Sequence, residues 1–338
     1  MGFLANYVRN LASLAAGRTP RRPLLFSYYL THRCPLACRY CSDGQGRPFK
    51  EDLVEELSTG QARELIDLLR PDSDTLDITG GEPMCRGDLE ELLSHARRVG
   101  FRTVLNTKGA GLPQRPDLMR LSDVLVLSVD SLDRARLAGI LGGPPHAAHD
   151  VLEALHWALA NRGRYKSQLV LSAVAMADNL DDVSDVLRLA VSHKLMFQVS
   201  PHIVGTAVHP GLIGNERFVA LMDEAIAAKA AGAGVLGVLP YLRGLRDGRD
   251  YTCHPLLMPT IRPDGAVNLP CLERPRERVS VKDAGGYRRT LTRARLAHAR
   301  TCEGRGNCRI FCHMALSLLQ RRPLAALREL ASWRTTPC

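Results

Sequence analysis

The chain has 338 residues, 45% of them hydrophobic, which is enough for one large domain with a sizeable core and a smaller second domain. No stretch approaches the ~18–20 uninterrupted apolar residues of a membrane-spanning helix, and charged residues interrupt the apolar start, unlike a secretory signal. We therefore expect a cytoplasmic protein, in which ten cysteines indicate metal or redox chemistry rather than disulfides.

The formal net charge of +10 at pH 7 describes a basic surface. Such a surface favours an anionic partner, such as a nucleotide-linked substrate or an acidic electron donor, although an arginine-rich composition also produces a basic surface with no partner at all. Nucleic acid is not expected as a partner, because the arginines are scattered and aromatic residues make up only 5% of the chain.

The first predicted element is a helix over residues 3–15 with one apolar stripe. The stripe consists of Phe3, Leu4, Tyr7, Val8, Leu11 and Leu14. We expect it to pack against the main domain, and shallow contact with a membrane surface is the alternative.

Strands and helices then alternate along the chain. The predicted strands are 24–30, 74–79, 102–106, 123–129, 168–175 and 195–200, and the predicted helices are 59–70, 88–99, 150–162, 180–193 and 215–230. Ser58 and Gln61 form a capping box that starts the first of these helices. Alternation of this kind predicts a parallel α/β domain, in which reactive groups cluster at the carboxyl ends of the strands.

Three cysteines follow the first predicted strand within eight residues. Cys34, Cys38 and Cys41 have the spacing C-x3-C-x2-C, so one short loop can present three thiolates to one small object. No fourth ligand lies nearby. An iron–sulfur cube with one open iron therefore fits better than a structural zinc site, which needs four ligands, and zinc with a distant fourth ligand is the alternative.

A second motif, Gly80-Gly81-Glu82-Pro83, follows the second predicted strand. Two glycines allow a ligand to approach the backbone closely, and the adjacent carboxylate can receive an ammonium group. Taken alone, the motif also suits a tight turn before the next helix. Its place at a strand end beside the cysteine loop favours the binding role.

Together the two motifs, in this order, resemble those of the radical S-adenosylmethionine (SAM) superfamily over about residues 24–230. The resemblance implies a partial (β/α)6 TIM-like barrel around a [4Fe–4S] cluster whose open iron binds S-adenosylmethionine. It further implies reductive cleavage of S-adenosylmethionine to a 5′-deoxyadenosyl radical that abstracts a substrate hydrogen.

The resemblance also implies roles for individual residues. Cys34, Cys38 and Cys41 would be the cluster ligands, and Tyr40 would lie against the adenine. Gly80, Gly81 and Glu82 would hold the methionine end. Asn106, Ser128 and Asp130 occupy strand ends where the family often contacts ribose or amine, although a serine or aspartate there is as often a helix cap.

The tail after residue 235 contains the remaining cysteines except Cys85: Cys253, Cys271, Cys302, Cys308, Cys312 and Cys338. The glycine-rich stretch 232–250 predicts a boundary, which divides the chain into 1–23, 24–235 and 236–338. Asp264-Gly265 predicts a hairpin turn.

The tail is similar to the SPASM and twitch extensions that bind auxiliary [4Fe–4S] clusters. The similarity implies that Cys253, Cys271, Cys302, Cys308 and Cys312 bind an auxiliary cluster, and Cys338 is the least secure candidate. Ala299 stands where the full pattern has a further cysteine. One auxiliary cluster is therefore favoured, and two clusters, zinc or no metal at all are the alternatives.

The radical chemistry belongs to the cofactor, so these motifs identify the reagent far better than the substrate. The basic charge favours a small anionic metabolite as the substrate. The 33 residues before Cys34 favour the same class, because they are too few for a separate peptide-recognition module. A nucleotide sugar or nucleoside of antibiotic biosynthesis is the predicted class, and modification of a ribosomal peptide or protein is the alternative. We expect a flavodoxin or ferredoxin as electron donor. A non-enzymatic metal-binding scaffold is disfavoured, because it has no need for Glu82 beside an open cluster.

Overall fold

A computed structural model describes the backbone of residues 2–42, 47–52, 54–294 and 308–335, and the side chains of these ranges up to residue 329. Two of the predicted cluster ligands, Cys302 and Cys338, lie outside the described residues.

The described residues form an α/β fold. Its strands are β1 (Phe26–Thr31), β2 (Thr75–Gly80), β3 (Arg102–Thr107), β4 (Val124–Ser128), β5 (Gln168–Ala175), β6 (Met196–Pro201), β7 (Ile203–Val204), β8 (Ala207–Val208), β9 (Thr260–Ile261), β10 (Ala266–Leu269) and β11 (Glu277–Ser280). Its helices are α1 (Phe3–Ala15), α2 (Thr59–Leu69), α3 (Leu89–Arg98), α4 (Asp117–Leu121), α5 (Arg134–Leu141), α6 (Ala147–Asn161), α7 (Leu180–Ser192), α8 (Glu216–Ala230), α9 (Leu239–Arg246), α10 (Val281–Ala284), α11 (Tyr287–Arg293), α12 (Phe311–Gln320) and α13 (Pro323–Thr335).

The first six strands pair in chain order, and every neighbouring pair among them is parallel. This confirms the predicted parallel α/β domain, and each predicted strand agrees with an observed one within two residues at either end. The carboxyl ends of β1 to β4 therefore meet at one edge, where both sequence motifs lie.

Part of the tail extends the same sheet. β9 pairs parallel to β1 through Ser27–Thr260 and Tyr28–Ile261, and β10 and β11 continue the sheet in antiparallel fashion. The predicted turn is confirmed: Asp264 and Gly265 connect β9 to β10, and Gly265 has a φ of +76°. The predicted domain division at residues 235 and 236 stays a prediction.

The N-terminal helix packs against the main domain, as expected, and part of the predicted stripe faces the core: Tyr7 is buried, and Phe3 and Leu11 pack against the core. Leu4 and Val8 are 60% and 56% exposed, whereas Asn6, Tyr7 and Asn10 are the buried residues of α1. The Asn6 side chain donates to the carbonyl oxygens of residues 23 and 72, both at 2.7 Å. Because buried carbonyl groups need donors, polar asparagines occupy the buried face and two apolar residues are left outside.

The capping box of α2 is present as predicted. The Ser58 hydroxyl accepts from the Gln61 amide, the Gln61 side chain accepts from the Ser58 amide, and Leu65, Ile66 and Leu69 are buried beneath the helix. None of the helices in the described ranges has the length and apolar character that crossing a bilayer requires.

Candidate active site

The cysteine loop leaves the carboxyl end of β1 and is fastened to the end of α5. The amides of Ala37 and Arg39 donate to the carbonyl oxygens of Leu141 and Ile140 at 2.9 and 3.2 Å. Leu36, directly before Ala37, is buried. Backbone hydrogen bonds thus hold a segment without regular secondary structure in one place, which positions the three cysteines.

The two glycines after β2 are required by the close approach of this loop. A Cβ on Gly80 would lie 2.3 Å from the Thr31 carbonyl oxygen, and one on Gly81 would lie 2.3 Å from the Arg33 carbonyl oxygen. The Gly81 and Glu82 amides donate to those same two oxygens at 2.7 and 2.9 Å. Only glycine fits so near another backbone, so the motif joins the end of β2 to the cysteine loop. Whether it also holds a ligand stays a prediction.

Glu82 is buried, and both of its carboxylate oxygens accept hydrogen bonds from this chain. Oε1 accepts from the Thr107 hydroxyl at 2.6 Å and from the Met84 amide at 3.0 Å, and Oε2 accepts from the Lys108 amide at 2.9 Å. Burial raises the pKa of Glu82, and these three donors oppose that effect. The carboxylate thereby links the glycine motif to the end of β3.

A buried polar triad connects the cysteine loop to two further strand ends. The Lys108 ammonium donates to Asp130 Oδ2 at 2.6 Å and to the Tyr40 hydroxyl at 2.9 Å, and the Tyr40 hydroxyl donates to the same Oδ2 at 2.7 Å. Burial is the largest influence and lowers the pKa of Lys108, but the charges of Asp130, Cys38 and Glu82 and the hydrogen bond to Asp130 together outweigh it, so the net shift is upward. Lys108 therefore stays cationic and ties Tyr40 in place.

Lys108 was missed from the sequence. It follows β3 directly, at the same edge as the two motifs, and that position is the signal that identifies it in retrospect.

Asn106 and Ser128 lie at the ends of β3 and β4, as predicted. Neither of them is hydrogen-bonded to the triad of Lys108, Tyr40 and Asp130 in the contacts described here. The Asn106 amide donates to Oδ1 of Asp77, whose Oδ2 accepts from the Ser27 hydroxyl at 3.0 Å. Ser128 is half-buried at the last position of β4. Asp77 was also missed, although the alternation within β2 predicts that it shares a face with Thr75 and Thr79.

A cavity of about 730 Å³ runs along the inner face of the six parallel strands. Each strand contributes alternating side chains to its wall, among them Tyr29, Asp77, Asn106, Val126, Val170 and Gln198. Further lining residues come from α1, the segment 236–238, the segment 258–273, α12 and α13. A sheet whose six strands surround one interior space in this way is a partial barrel, which confirms the predicted fold class.

Residues 28–190 match the model of the Radical SAM superfamily. The chain contains a radical SAM domain. Proteins of this family bind a [4Fe–4S] cluster and S-adenosylmethionine, and residues 28–190 of this chain match the domain that binds them.

Three curated relatives illustrate the range of this family. The chain is 30% identical over 208 residues to an AdoMet-dependent heme synthase of Nitratidesulfovibrio vulgaris, a match that covers 60% of this chain and 52% of the relative. It is 34% identical to a PqqA peptide cyclase of Xanthomonas euvesicatoria (50% and 44% covered) and 32% identical to one of Rhizobium meliloti (51% and 45% covered). The chain thus spans about half the length of the curated relatives it matches.

Solved structures share the fold of the radical SAM domain and its tail. SuiB of Streptococcus suis bound to S-adenosylmethionine superposes with a TM-score of 0.58 at 16% identity, covering 80% of this chain and 65% of SuiB. Native anSMEcpe with bound AdoMet has a TM-score of 0.59 at 14% identity, covering 92% and 99%. At these identities the likeness shows the fold alone.

The donor set of the cysteine loop fits the cluster that the radical SAM family binds. Among the described residues, no three His, Cys, Asp or Glu side chains converge on a position for a single metal ion. The thiols of Cys34, Cys38 and Cys41 are instead electrostatic neighbours of one another, which suits a cube whose thiolates bind separate irons. Burial raises the pKa of Cys34 to about 11 and that of Cys41 to about 12, so binding iron displaces protons.

Four of the tail cysteines lie among the described residues. Cys253 and Cys271 are buried, and Tyr251 lies near both Cys253 and Cys308: burial first, and then these two cysteines, raise the pKa of the tyrosine. Cys312 lines the barrel cavity.

Proposed function

We propose that this radical SAM enzyme modifies a peptide or protein substrate. The likeness to the two PqqA peptide cyclases, each at more than 30% identity over half of this chain, carries the proposal. Two of the structures that share the fold also contain peptides, the precursor SuiA in SuiB and Cp18Cys in anSMEcpe. The comparisons thus favour the alternative of the sequence prediction over the small anionic metabolite.

The charges in the cavity argue in the same direction. Its charged lining residues in the described part of the chain are four carboxylates, Asp74, Asp77, Glu273 and Glu329, and one arginine, Arg102. Glu329 is paired with Lys229 at 2.7 Å and burial raises the pKa of Asp77 to about 7, so the net negative charge of the described lining is small and does not attract a phosphorylated substrate. A volume of about 730 Å³ instead accommodates one or two amino acid side chains beside a cofactor.

Cys34, Cys38 and Cys41 are proposed to hold the [4Fe–4S] cluster at the carboxyl edge of the barrel. When bound there, the cluster and S-adenosylmethionine supply a one-electron cleavage that yields the hydrogen-abstracting 5′-deoxyadenosyl group. Gly80, Gly81 and Glu82 remain the proposed contacts of the methionine end, since the motif directly adjoins the cysteine loop.

The buried triad keeps the edge of the site rigid. Lys108 holds the Tyr40 ring and the Asp130 carboxylate together, so the proposed adenine contact of Tyr40 is made by a ring that has little freedom to move. Asp130 also accepts from the Val174 amide at 2.9 Å, which ties β4 to β5 beside the proposed ribose contacts Asn106, Ser128 and Asp130. Preorganised partners of this kind reduce the entropy lost when a cofactor binds.

An auxiliary cluster is proposed for the tail. Cys253 and Cys308 share Tyr251 as a neighbour, and Cys271 is a buried thiol that follows β10. Together with Cys302 they make four thiols, which is the number a complete [4Fe–4S] cluster requires.

The test is turnover by the anaerobically reconstituted enzyme, measured as 5′-deoxyadenosine formed above the rate without substrate. Three pools are offered at matched concentration: synthetic peptides, nucleosides with nucleotide sugars, and tetrapyrroles, the last because of the heme synthase relative. Stimulation by peptides alone, with a peptide of altered mass, supports the proposal. Stimulation by either other pool and not by peptides contradicts it.

A further inference from the structure

The exposed side of α1 is apolar, although its buried side is partly polar. Asn6 and Asn10 lie in the interior, where the Asn10 side chain donates to the Arg22 carbonyl oxygen at 2.8 Å. The exposed residues of the helix are one arginine, Arg9, and five apolar residues: Leu4, Ala5, Val8, Ala12 and Ala15. A surface helix normally has the opposite arrangement, with its polar side outward, so this side of α1 indicates contact with an apolar partner.

Most of these apolar residues form one stripe along α1. Leu4, Val8, Ala12 and Ala15 follow one another at intervals of three or four positions, which places them one above the other on the helix surface. The two large side chains, Leu4 and Val8, are 60% and 56% exposed. Side chains that project from a helix surface suit a deformable partner such as a lipid bilayer better than a folded protein, which needs a complementary shape.

A second pair of exposed apolar residues lies on α13. Leu324 and Leu327 are 76% and 63% exposed and are three positions apart, so they are neighbours on the helix surface. α1 lies against the end of α12, directly before α13: the Tyr7 hydroxyl donates to the Leu319 carbonyl oxygen at 3.0 Å, and the Gln320 side chain donates to the Tyr7 carbonyl oxygen at 3.1 Å. Among the described residues, four of the seven large exposed apolar side chains therefore lie on these two helices.

The sequence around both helices is basic. Residues 1–22 contain no acidic residue and four arginines, which are Arg9, Arg18, Arg21 and Arg22. Residues 320–329 contain three arginines and one carboxylate, Glu329, which is buried and paired with Lys229 at 2.7 Å. Exposed apolar side chains are thus accompanied by positive charge, which is the combination that binds an anionic bilayer surface.

Three of the arginines lie close together. Arg288 and Arg9 are electrostatic neighbours of Arg22, and burial followed by these two charges lowers the pKa of Arg22. Asp72 is the carboxylate beside them, and it accepts a hydrogen bond from Arg288. Positive charge is therefore in excess here, which favours an anionic partner such as a phosphate group.

We propose that α1 and α13 form a docking surface for a bilayer that contains anionic lipids. Leu4, Val8, Leu324 and Leu327 enter the boundary between the headgroups and the acyl chains, and the arginines bind the lipid phosphates. Because residues of both helices line the barrel cavity, the docked enzyme holds this cavity next to the bilayer. The proposal goes beyond the proposed modification of a peptide and does not depend on it.

The first test is cosedimentation of the anaerobically reconstituted full chain with vesicles of phosphatidylcholine, with and without phosphatidylglycerol. We expect binding only to the vesicles with phosphatidylglycerol, and weaker binding at high salt, because salt screens the arginines. Arg18→Gln/Arg21→Gln should weaken binding about 25-fold, since each arginine near an anionic surface contributes about fivefold. The control Arg134→Gln/Arg164→Gln, which removes two exposed arginines elsewhere, should bind like the wild type. No binding to either kind of vesicle overturns the proposal.

The second test separates the apolar stripe from the charge. Leu4→Gln/Val8→Gln keeps good helix formers in α1 and should weaken vesicle binding by about tenfold or more, with an unchanged circular dichroism spectrum. The control is Val191→Gln/Ile213→Gln, at two residues that are 40% and 72% exposed and lie outside both helices. It should bind like the wild type. Equal binding by the two double variants means adsorption by charge alone and refutes the proposal.

The third test measures insertion directly. Val8→Trp and Val191→Trp each add one fluorescent side chain to the two native tryptophans. We expect brominated lipids in the phosphatidylglycerol vesicles to quench the added fluorescence of Val8→Trp and to leave that of Val191→Trp unchanged. Equal quenching of the two variants contradicts insertion of α1.

The remaining possible partners are a second copy of the chain and an acidic protein. Sedimentation velocity without vesicles, alone and with a flavodoxin, detects both. A dimer or a flavodoxin complex that Leu4→Gln/Val8→Gln dissociates, in the absence of vesicle binding, assigns the stripe to that partner and overturns the proposal. None of these measurements needs a substrate, so failure of the docking proposal and failure of the peptide proposal are distinguishable.

Discussion

Replacing Lys108 by Met removes the cation from the buried triad and leaves its anion in place. Asp130 is completely buried, and the Lys108 side chain is only 11% exposed. Removing one partner of such a pair costs about 3–5 kcal/mol of folding free energy, because the remaining charge is buried without compensation. The hydrogen bonds that Asp130 accepts from Tyr40 and Val174 persist in the variant, so we expect the lower end, about 3 kcal/mol.

The assay is urea unfolding of equally loaded, anaerobically reconstituted protein, followed by far-ultraviolet circular dichroism. A loss of about 3 kcal/mol appears as a lower midpoint at an unchanged dependence on urea. The matched control is Arg120→Ala, which breaks the ion pair with Asp117, whose two side chains are 63% and 61% exposed. Exposed pairs contribute little, so this control should leave the urea midpoint almost unchanged.

The double variant Lys108→Met/Asp130→Asn separates the charge from the packing. Asparagine keeps an oxygen for the Val174 amide and carries no charge, so most of the lost stability should return. The reasoning is refuted if Lys108→Met alone is as stable as the Arg120→Ala control. It is also refuted if the double variant is no more stable than the single one.

Two further predictions concern the strand ends and the barrel wall. Gly81→Ala should lower both the urea midpoint of unfolding and the iron content after reconstitution, because its Cβ would lie 2.3 Å from the Arg33 carbonyl oxygen. The control Gly60→Ala, whose Cβ would have no atom within 4 Å, should stabilise the protein by about 0.5–1 kcal/mol. Equal behaviour of the two variants contradicts the close approach at Gly81. Burial raises the pKa of Asp77 from 3.8 to about 7, so the folded protein binds a proton between these values that the unfolded chain releases. Stability from this group therefore falls as pH rises from about 4 to 7, and Asp77→Asn should gain on the wild type by about 3 kcal/mol between pH 5 and 8 in urea titrations. A difference that does not change with pH excludes this protonation.

Hydrophobic patterning predicted the parallel sheet well because each of its six strands is short and has at least one buried, largely apolar face. It failed for the exposed side of α1, where Leu4 and Val8 are 60% and 56% exposed. Apolar spacing carries no information about carbonyl groups elsewhere in the chain, and those groups brought Asn6 and Asn10 to the buried face.

The cysteine spacing and the glycine motif were readable from the sequence because each lies within a few consecutive residues, and local spacing decides what one loop can bind. The sequence did not predict the roles of Lys108 and Asp77 or the cavity position of Cys312. Each of these depends on contacts with residues on other strands or helices. Asp77 and Cys312 are separated by 235 positions in the chain (312 − 77), and only the closure of the barrel by α12 brings both to one cavity. The sequence by itself thus determined the fold class and the reagent. The tertiary structure decided which polar groups are buried together, because burial and pairing depend on packing between distant segments.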